Sequence, residues 1–125
     1  MIIENAIQRA VKILKKNNIT TPFLDSELLM SKTISKDRSY ILLNPRKNLT
    51  CKHLSYFEKL IELRSKGEPI AYLVKKKDFW NYEFVVKNGI LIPRPETEII
   101  VQECLKLAQN KKCLKVLDVG VGSGC

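Results

Sequence analysis

Metal ligands are scarce in this sequence. One histidine, His53, and four scattered cysteines, Cys51, Cys104, Cys113 and Cys125, are all it offers beyond carboxylates. No two cysteines form a C-x-x-C pair, so no zinc or other metal site is expected. No apolar run approaches the ~20 residues of a membrane span, and no membrane partner is expected. Met1 to Asn5 lacks the basic start of a secretory leader, which makes a soluble, reducing, cytoplasmic setting the expected default. Internal repeats and low-complexity tracts are missing as well. Acidic residues are in deficit: 13 Asp and Glu against 22 Lys and Arg, a formal charge of +9. A basic balance suits nucleic acid or an acidic protein face. The lysines, however, fall in short clusters spread along the chain (Lys15-Lys16, Lys75-Lys76-Lys77, Lys111-Lys112). That is also the pattern of a solvated surface, so direct nucleic-acid binding stays open.

What is present divides into two kinds of pattern. A length of 125 residues suits one ordinary domain and is too short for a helical domain plus a complete doubly wound sheet. Over roughly the first seventy-five residues, helical periodicity dominates. Ile3, Ile7, Ala10, Val11 and Leu14 predict an amphipathic helix over about residues 2–16. Thr21-Pro22 reads as a cap and first turn, with Phe23, Leu24, Glu27, Leu28 and Ile34 framing a second helix. Asp37 opens a short one that stops before Pro45. Thr50 caps a longer one, whose apolar face is Leu54, Phe57, Leu60, Ile61 and Leu63, and Gly67 ends it. Ile70 to Leu73 restarts briefly after Pro69. Together these predict a small bundle.

The pattern then turns to alternation. Phe79-Trp80 and Phe84-Val85-Val86 flank Asn81-Tyr82 and predict a hairpin. Asn88-Gly89 predicts a turn. Pro93 and Pro95 forbid helix and central strand between them. Glu96-Thr97-Glu98 starts a helix with acids at its positive end, and Ile99, Ile100, Val101, Cys104, Leu105 and Ala108 are expected to supply its core face. Last comes Leu114 to Leu117, an apolar stretch broken by Lys115, expected to be a buried parallel strand. It leads into Asp118-Val119-Gly120-Val121-Gly122-Ser123-Gly124-Cys125. Glycines at every second position give a turn its positive φ values and let backbone approach a ligand. The dinucleotide fingerprint G-x-G-x-x-G/A fails, because Cys125 stands where its last small residue belongs. The P-loop fails for want of Gly-Lys-Ser/Thr. D-x-G-x-G-x-G behind an apolar strand is instead the pattern of S-adenosylmethionine (SAM) methyltransferases. An ordinary glycine-rich turn is the plain alternative.

Three further stretches carry a more specific resemblance. Gly67-Glu68-Pro69-Ile70-Ala71-Tyr72 resembles a G-x-P-x-x-Y segment, Phe79-Trp80 with Phe84-Val85-Val86 an F-W…F-x-V hairpin, and Leu91-Ile92-Pro93-Arg94-Pro95-Glu96-Thr97-Glu98 an L-I-P-R-P-E-T-E signature. With the glycine run they resemble, in the right order, the protein-(glutamine-N5) methyltransferases of peptide chain release factors (the HemK/PrmC family). The likeness spans the whole chain but only the first part of the family's length.

The resemblance implies an α/β parent: a Rossmann-like SAM methyltransferase carrying an α-helical N-terminal bundle. This chain would be an amino-terminal part of it, mostly α, with a short hairpin and one terminal strand. Residues 1–75 would be the helical domain that binds the release factor, 76–95 a connecting hairpin and linker, and 96–125 the start of the methyltransferase domain. The implied reaction moves a methyl group from SAM to the glutamine amide of a Gly-Gly-Gln motif. Asp118, Gly120, Val121, Gly122, Ser123 and Gly124 would bind the cofactor. Val121 departs from a common threonine. No catalytic residue is expected here, because the family's N-P-P-Y motif and the acidic residue that holds the SAM ribose do not occur in the sequence. The 125-residue chain is therefore expected to be inactive and not to bind SAM by itself. A monomer is expected. Two other readings stand: a non-catalytic binding module or truncated remnant, and a related N6-adenine methyltransferase acting on nucleic acid. Arg94 is equally an anion anchor or a salt-bridge partner of Glu96 or Glu98. Asp118 either orients the loop, pairs with the SAM ammonium, or caps a following helix. Phe79 and Trp80 read first as hairpin core, and His53 as exposed.

Overall fold

A computed structural model describes residues 1–109, 111 and 113–125; Lys112, the second lysine of the last cluster, lies outside the described residues. The chain divides into two compact units, Met1–Val74 and Lys75–Cys125.

The first unit is helical: α1 Ile3–Lys16, α2 Pro22–Ile34, α3 Arg38–Leu43, α4 Cys51–Ser65 and α5 Ile70–Val74. Its core joins Ile3, Ala6, Ala10 and Leu14 of α1 with Leu29 and Met30 of α2, Ile41 of α3, Phe57, Leu60 and Ile61 of α4, and Leu73 of α5. Burying a large aliphatic or aromatic side chain contributes about 1.5–3 kcal/mol, so helices that would fray alone stabilise one another. The helix ends follow the sequence closely. The Asp37 and Thr50 side chains accept the amides of Tyr40 and His53, at 2.7 and 3.2 Å. At the far end of α4, Gly67 takes φ +98°. Its amide donates to Arg64 O and that of Glu68 to Leu63 O, the paired bonds that let glycine close a helix. The N-terminus of α1 has no side-chain cap at Ile2. The amides of Ile3 and Glu4 donate instead to the carbonyls of Lys47 and Pro45, both at 3.0 Å, and Leu49 N donates back to Met1 O at 2.9 Å.

The second helix departs from expectation. Phe23 and Leu24 are exposed, and the inward face is Asp25, Ser26, Leu29, Met30 and Thr33. Ser26 and Thr33 bury cheaply because their hydroxyls donate to carbonyls four residues back, Pro22 O at 2.7 Å and Leu29 O at 2.8 Å. Asp25, 2% exposed, meets Arg64 of α4, whose Nε lies 2.7 Å from its Oδ2. Thr21 does not cap α2 with its side chain; its hydroxyl donates to Asp25 Oδ1 at 2.9 Å. Arg64 also donates to Glu68 O at 3.0 Å. One buried ion pair thus ties the start of α2 to the turn that ends α4.

The second unit opens with an antiparallel hairpin, β1 Lys76–Phe79 and β2 Tyr82–Val85, in register Lys76↔Val85 to Phe79↔Tyr82. Its turn is Trp80-Asn81, so Tyr82 belongs to the second strand rather than to the turn. Phe79 and Phe84 share a face, with rings edge to face at 6.1 Å. Phe79 and Val86 are buried. A 3-10 turn, Pro95–Thr97, leads into α6, Glu98–Ala108. That helix forms where expected, but its intended core face does not close: no residue of α6 is buried, and Ile100 is 63% exposed. The terminal strand does not form either. Leu114 to Leu117 carries no regular structure and Val116 and Leu117 are exposed. A strand exists only by pairing its amides and carbonyls with a neighbour, and among the described residues none is offered to it.

Candidate functional site

The glycine run folds into a turn by itself. Gly120, Gly122 and Gly124 take φ of +86°, +57° and +84°, values that cost an L-residue energy and a glycine little. Gly124 N donates to Val121 O at 2.9 Å, and the Ser123 hydroxyl lies 3.2 Å from Cys125 Sγ. A Cβ at Gly120 or Gly124 would meet nothing within 4 Å. Backbone conformation, not crowding, is what requires these glycines in the chain as it stands. Asp118, Val121 and Gly122 are exposed and Ser123 is half-buried. The structure therefore brings Asp118, Gly120, Val121, Gly122, Ser123 and Gly124 into one short loop, with glycine amides and a hydroxyl on open backbone. Such a loop can hydrogen-bond a polar ligand; it holds no acid or base fixed against another group.

The proline-rich stretch acts through a contact that the sequence reading missed. Glu98, the first residue of α6, accepts the Trp80 amide through Oε1 at 2.9 Å. Trp80 sits in the hairpin turn at φ +54°, a left-handed conformation that favours glycine or asparagine. A carboxylate on that amide compensates part of the strain and fixes the turn against the start of α6. The signal lay in the sequence only as two motifs eighteen residues apart. Among the described residues neither Glu96 nor Glu98 forms an ion pair with Arg94, so the salt-bridge role foreseen for Arg94 is not taken up. Trp80 is partly exposed and Phe79 buried, which separates two aromatics first read alike.

The helical unit carries two concavities. A cavity of about 200 Å³ lies between α1 and α4, walled by Ala6, Ala10, Leu54, Phe57 and Ile61 with Arg9 and Glu58 beside them. Glu62 also lines it; the hydrogen bond from Lys66, and then its charge, hold this carboxyl below the usual carboxylate range. A second, of about 160 Å³, lies by the α4 N-terminus and includes His53, which is half-buried rather than exposed. All four cysteines are exposed and free. Among the described residues no three His, Cys, Asp or Glu side chains gather as metal ligands, and no helix is long and apolar enough to cross a membrane.

The fold defines the class first: a small helical domain followed by a hairpin unit with a glycine turn. The PrmC N-terminal domain family matches residues 5–74, more than half of the chain, and the chain belongs to that family. Over almost its whole length it is also similar to full-length enzymes. It is 41% identical to the release factor glutamine methyltransferase of Buchnera aphidicola subsp. Baizongia pistaciae over 124 residues, 99% of this chain and 44% of the relative. It is 36% identical to that of Koribacter versatilis over 125 residues, 100% of this chain and 45% of the relative. The bifunctional methyltransferase of Rickettsia felis is 32% identical over 150 residues, 98% of this chain and 28% of the relative. The chain spans less than half the length of these relatives.

Proposed function

We propose that this chain is the amino-terminal part of an enzyme that moves a methyl group from SAM to the side-chain amide of the glutamine in a release factor's Gly-Gly-Gln motif. The observation that carries the proposal is the similarity, at 36–41% identity over the full chain, to proteins named for that activity. In this reading residues 1–75 bind the release factor, 76–95 connect, and 96–125 begin a Rossmann-like SAM domain, in a cytoplasmic, monomeric enzyme.

The residues present fit the cofactor's chemistry as far as they go. Asp118 and the amides and hydroxyl of Gly120 to Gly124 form a polar loop without side-chain obstruction, suited to the amino-acid end and ribose of SAM. SAM supplies the electrophilic methyl when bound. Asp118 would take the cofactor's ammonium, and the glycine backbone would let it lie close. An amide nitrogen is a weak nucleophile, so holding it in line with the methyl group is what the protein must provide. The Glu98–Trp80 contact fixes the hairpin turn against the start of α6. The exposed apolar residues of α6 and of 114–121 are those a completed parallel sheet would cover.

The test is methyl transfer by the complete enzyme to purified release factor, read by mass spectrometry of the Gly-Gly-Gln peptide. The expected result is one methyl on that glutamine with SAM present, and none when it is replaced by alanine. Transfer to DNA but not to release factor would establish the adenine reading instead. No transfer to either would leave the binding-module reading.

A further inference from the structure

The 160 Å³ concavity by the α4 N-terminus differs in its charge from the cavity between α1 and α4, where Glu58 and Glu62 accompany Arg9. Lys36 and Lys47 line the smaller concavity, together with His53, and no carboxylate does. Both ammonium groups lean on one ring: Lys36 Nζ is 5.6 Å and Lys47 Nζ 5.2 Å from the centroid of Tyr40. Lys47 also donates to the Tyr40 hydroxyl at 2.5 Å. Among the described residues neither lysine has a carboxylate within ion-pair distance; the lysines that do are Lys66, Lys76 and Lys106.

The surroundings are mixed and tilt positive: the Asp37 carboxylate, next in sequence to Lys36, accepts the Tyr40 amide at 2.7 Å and does not line the concavity. The first turn of α4 carries no acid and holds Lys52 instead, although a helix N-terminus favours negative charge. Asn48 and Thr50 add polar groups at the rim, and Ile3 and Leu49 give an apolar floor. Two like charges held beside one another without a counter-ion cost energy. A ligand that brings a negative charge removes that cost.

We propose that this concavity is an acceptor for an acidic side chain, Asp or Glu, on the protein that the helical unit binds. The proposal rests on the release-factor reading for the partner's identity, but not for the pocket's chemistry. A carboxylate fits better than an RNA phosphodiester. Single-stranded nucleic acid is held by bases stacked on free aromatic faces, and the pocket's one ring already carries two ammonium groups. An apolar floor beneath cationic walls suits the methylenes and carboxylate of a glutamate.

The test is binding of purified release factor to the full-length enzyme, by calorimetry at low and moderate salt, for the native protein and for K36A/K47A. K15A/K16A, which removes two charges from α1, is the control. Lys36 and Lys47 are exposed, and thermal melts check that folding is retained. The double variant should bind about tenfold more weakly and lose part of the salt dependence, with the control unchanged. Equal losses in both variants, or none in either, overturn the pocket.

Absence of binding by the native enzyme would instead count against the release-factor reading. The pocket is then tested alone, by anisotropy of a labelled hexaglutamate peptide and of an octauridylate RNA. Peptide binding that K36A/K47A removes sustains the inference. RNA binding with the same loss, or no binding of either, defeats it.

Discussion

The two units of this chain answer the same question differently. Met1–Val74 buries apolar residues from all five of its helices in one cluster. Lys75–Cys125 forms a hairpin and a helix of ordinary quality, yet α6 buries nothing and Leu105, Leu107, Val116, Leu117 and Val119 stay exposed. Both have the patterned apolar residues that secondary structure needs. The difference lies in what the backbone needs. A helix satisfies its own amides and carbonyls and here finds apolar partners within the unit, from Ile3 to Leu73, whereas a strand needs a neighbouring strand before it can form. Periodicity shows that a residue is meant to be buried; it does not show whether the partner is at hand.

The largest effect that sharpens this contrast should come from the core of the helical unit. Phe57→Ala is expected to cost about 3–5 kcal/mol in urea unfolding, while Ile100→Ala in α6 should stay within about 0.5 kcal/mol. Comparable losses at both would erase the distinction. Next is the buried ion pair. Arg64→Ala leaves Asp25 enclosed without its partner and should cost about 3 kcal/mol, against about 1 kcal/mol for Thr21→Val, which removes one hydrogen bond. Smaller still is the second unit's own tie. Glu98→Ala should leave the melting of the helical unit unchanged but shift the emission of Trp80, the single tryptophan, as its turn loosens. The smallest concerns Glu62. Lys66 lowers its carboxyl pKa, so this pair's contribution is present above the ordinary carboxylate pKa and is lost as pH falls through the depressed one. Lys66→Gln should return the Glu62 titration, followed by NMR, toward the ordinary value.

Much of the helical unit was legible from residues alone, for identifiable reasons. Thr50, Asp37 and Gly67 act on backbone within a few positions of themselves, so their roles appear in the sequence around them. The inward face of α2 did not, because Ser26 and Thr33 satisfy themselves on their own helix and then bury as apolar residues do. Asp25 looks like a surface acid until Arg64, thirty-nine residues on, comes beside it. The hairpin was legible to within a residue at its turn; Trp80 takes a φ that composition would assign to glycine. In the candidate site, the order of motifs was readable and led to the family. The Glu98 contact and the Lys36–Tyr40–Lys47 group were not, since each joins elements whose approach only folding decides.

The bonds between the first residues and the segment from Pro45 to Leu49 have a practical consequence. With no cap of its own, α1 borrows the carbonyls of Pro45 and Lys47, and Met1 holds Leu49 in return. Shaving even three residues from the amino end would release Arg46-Lys47-Asn48, a ready tryptic target, and with it one wall of the cationic pocket. An affinity tag belongs at the other end of the polypeptide, or behind a spacer long enough to leave this clasp shut.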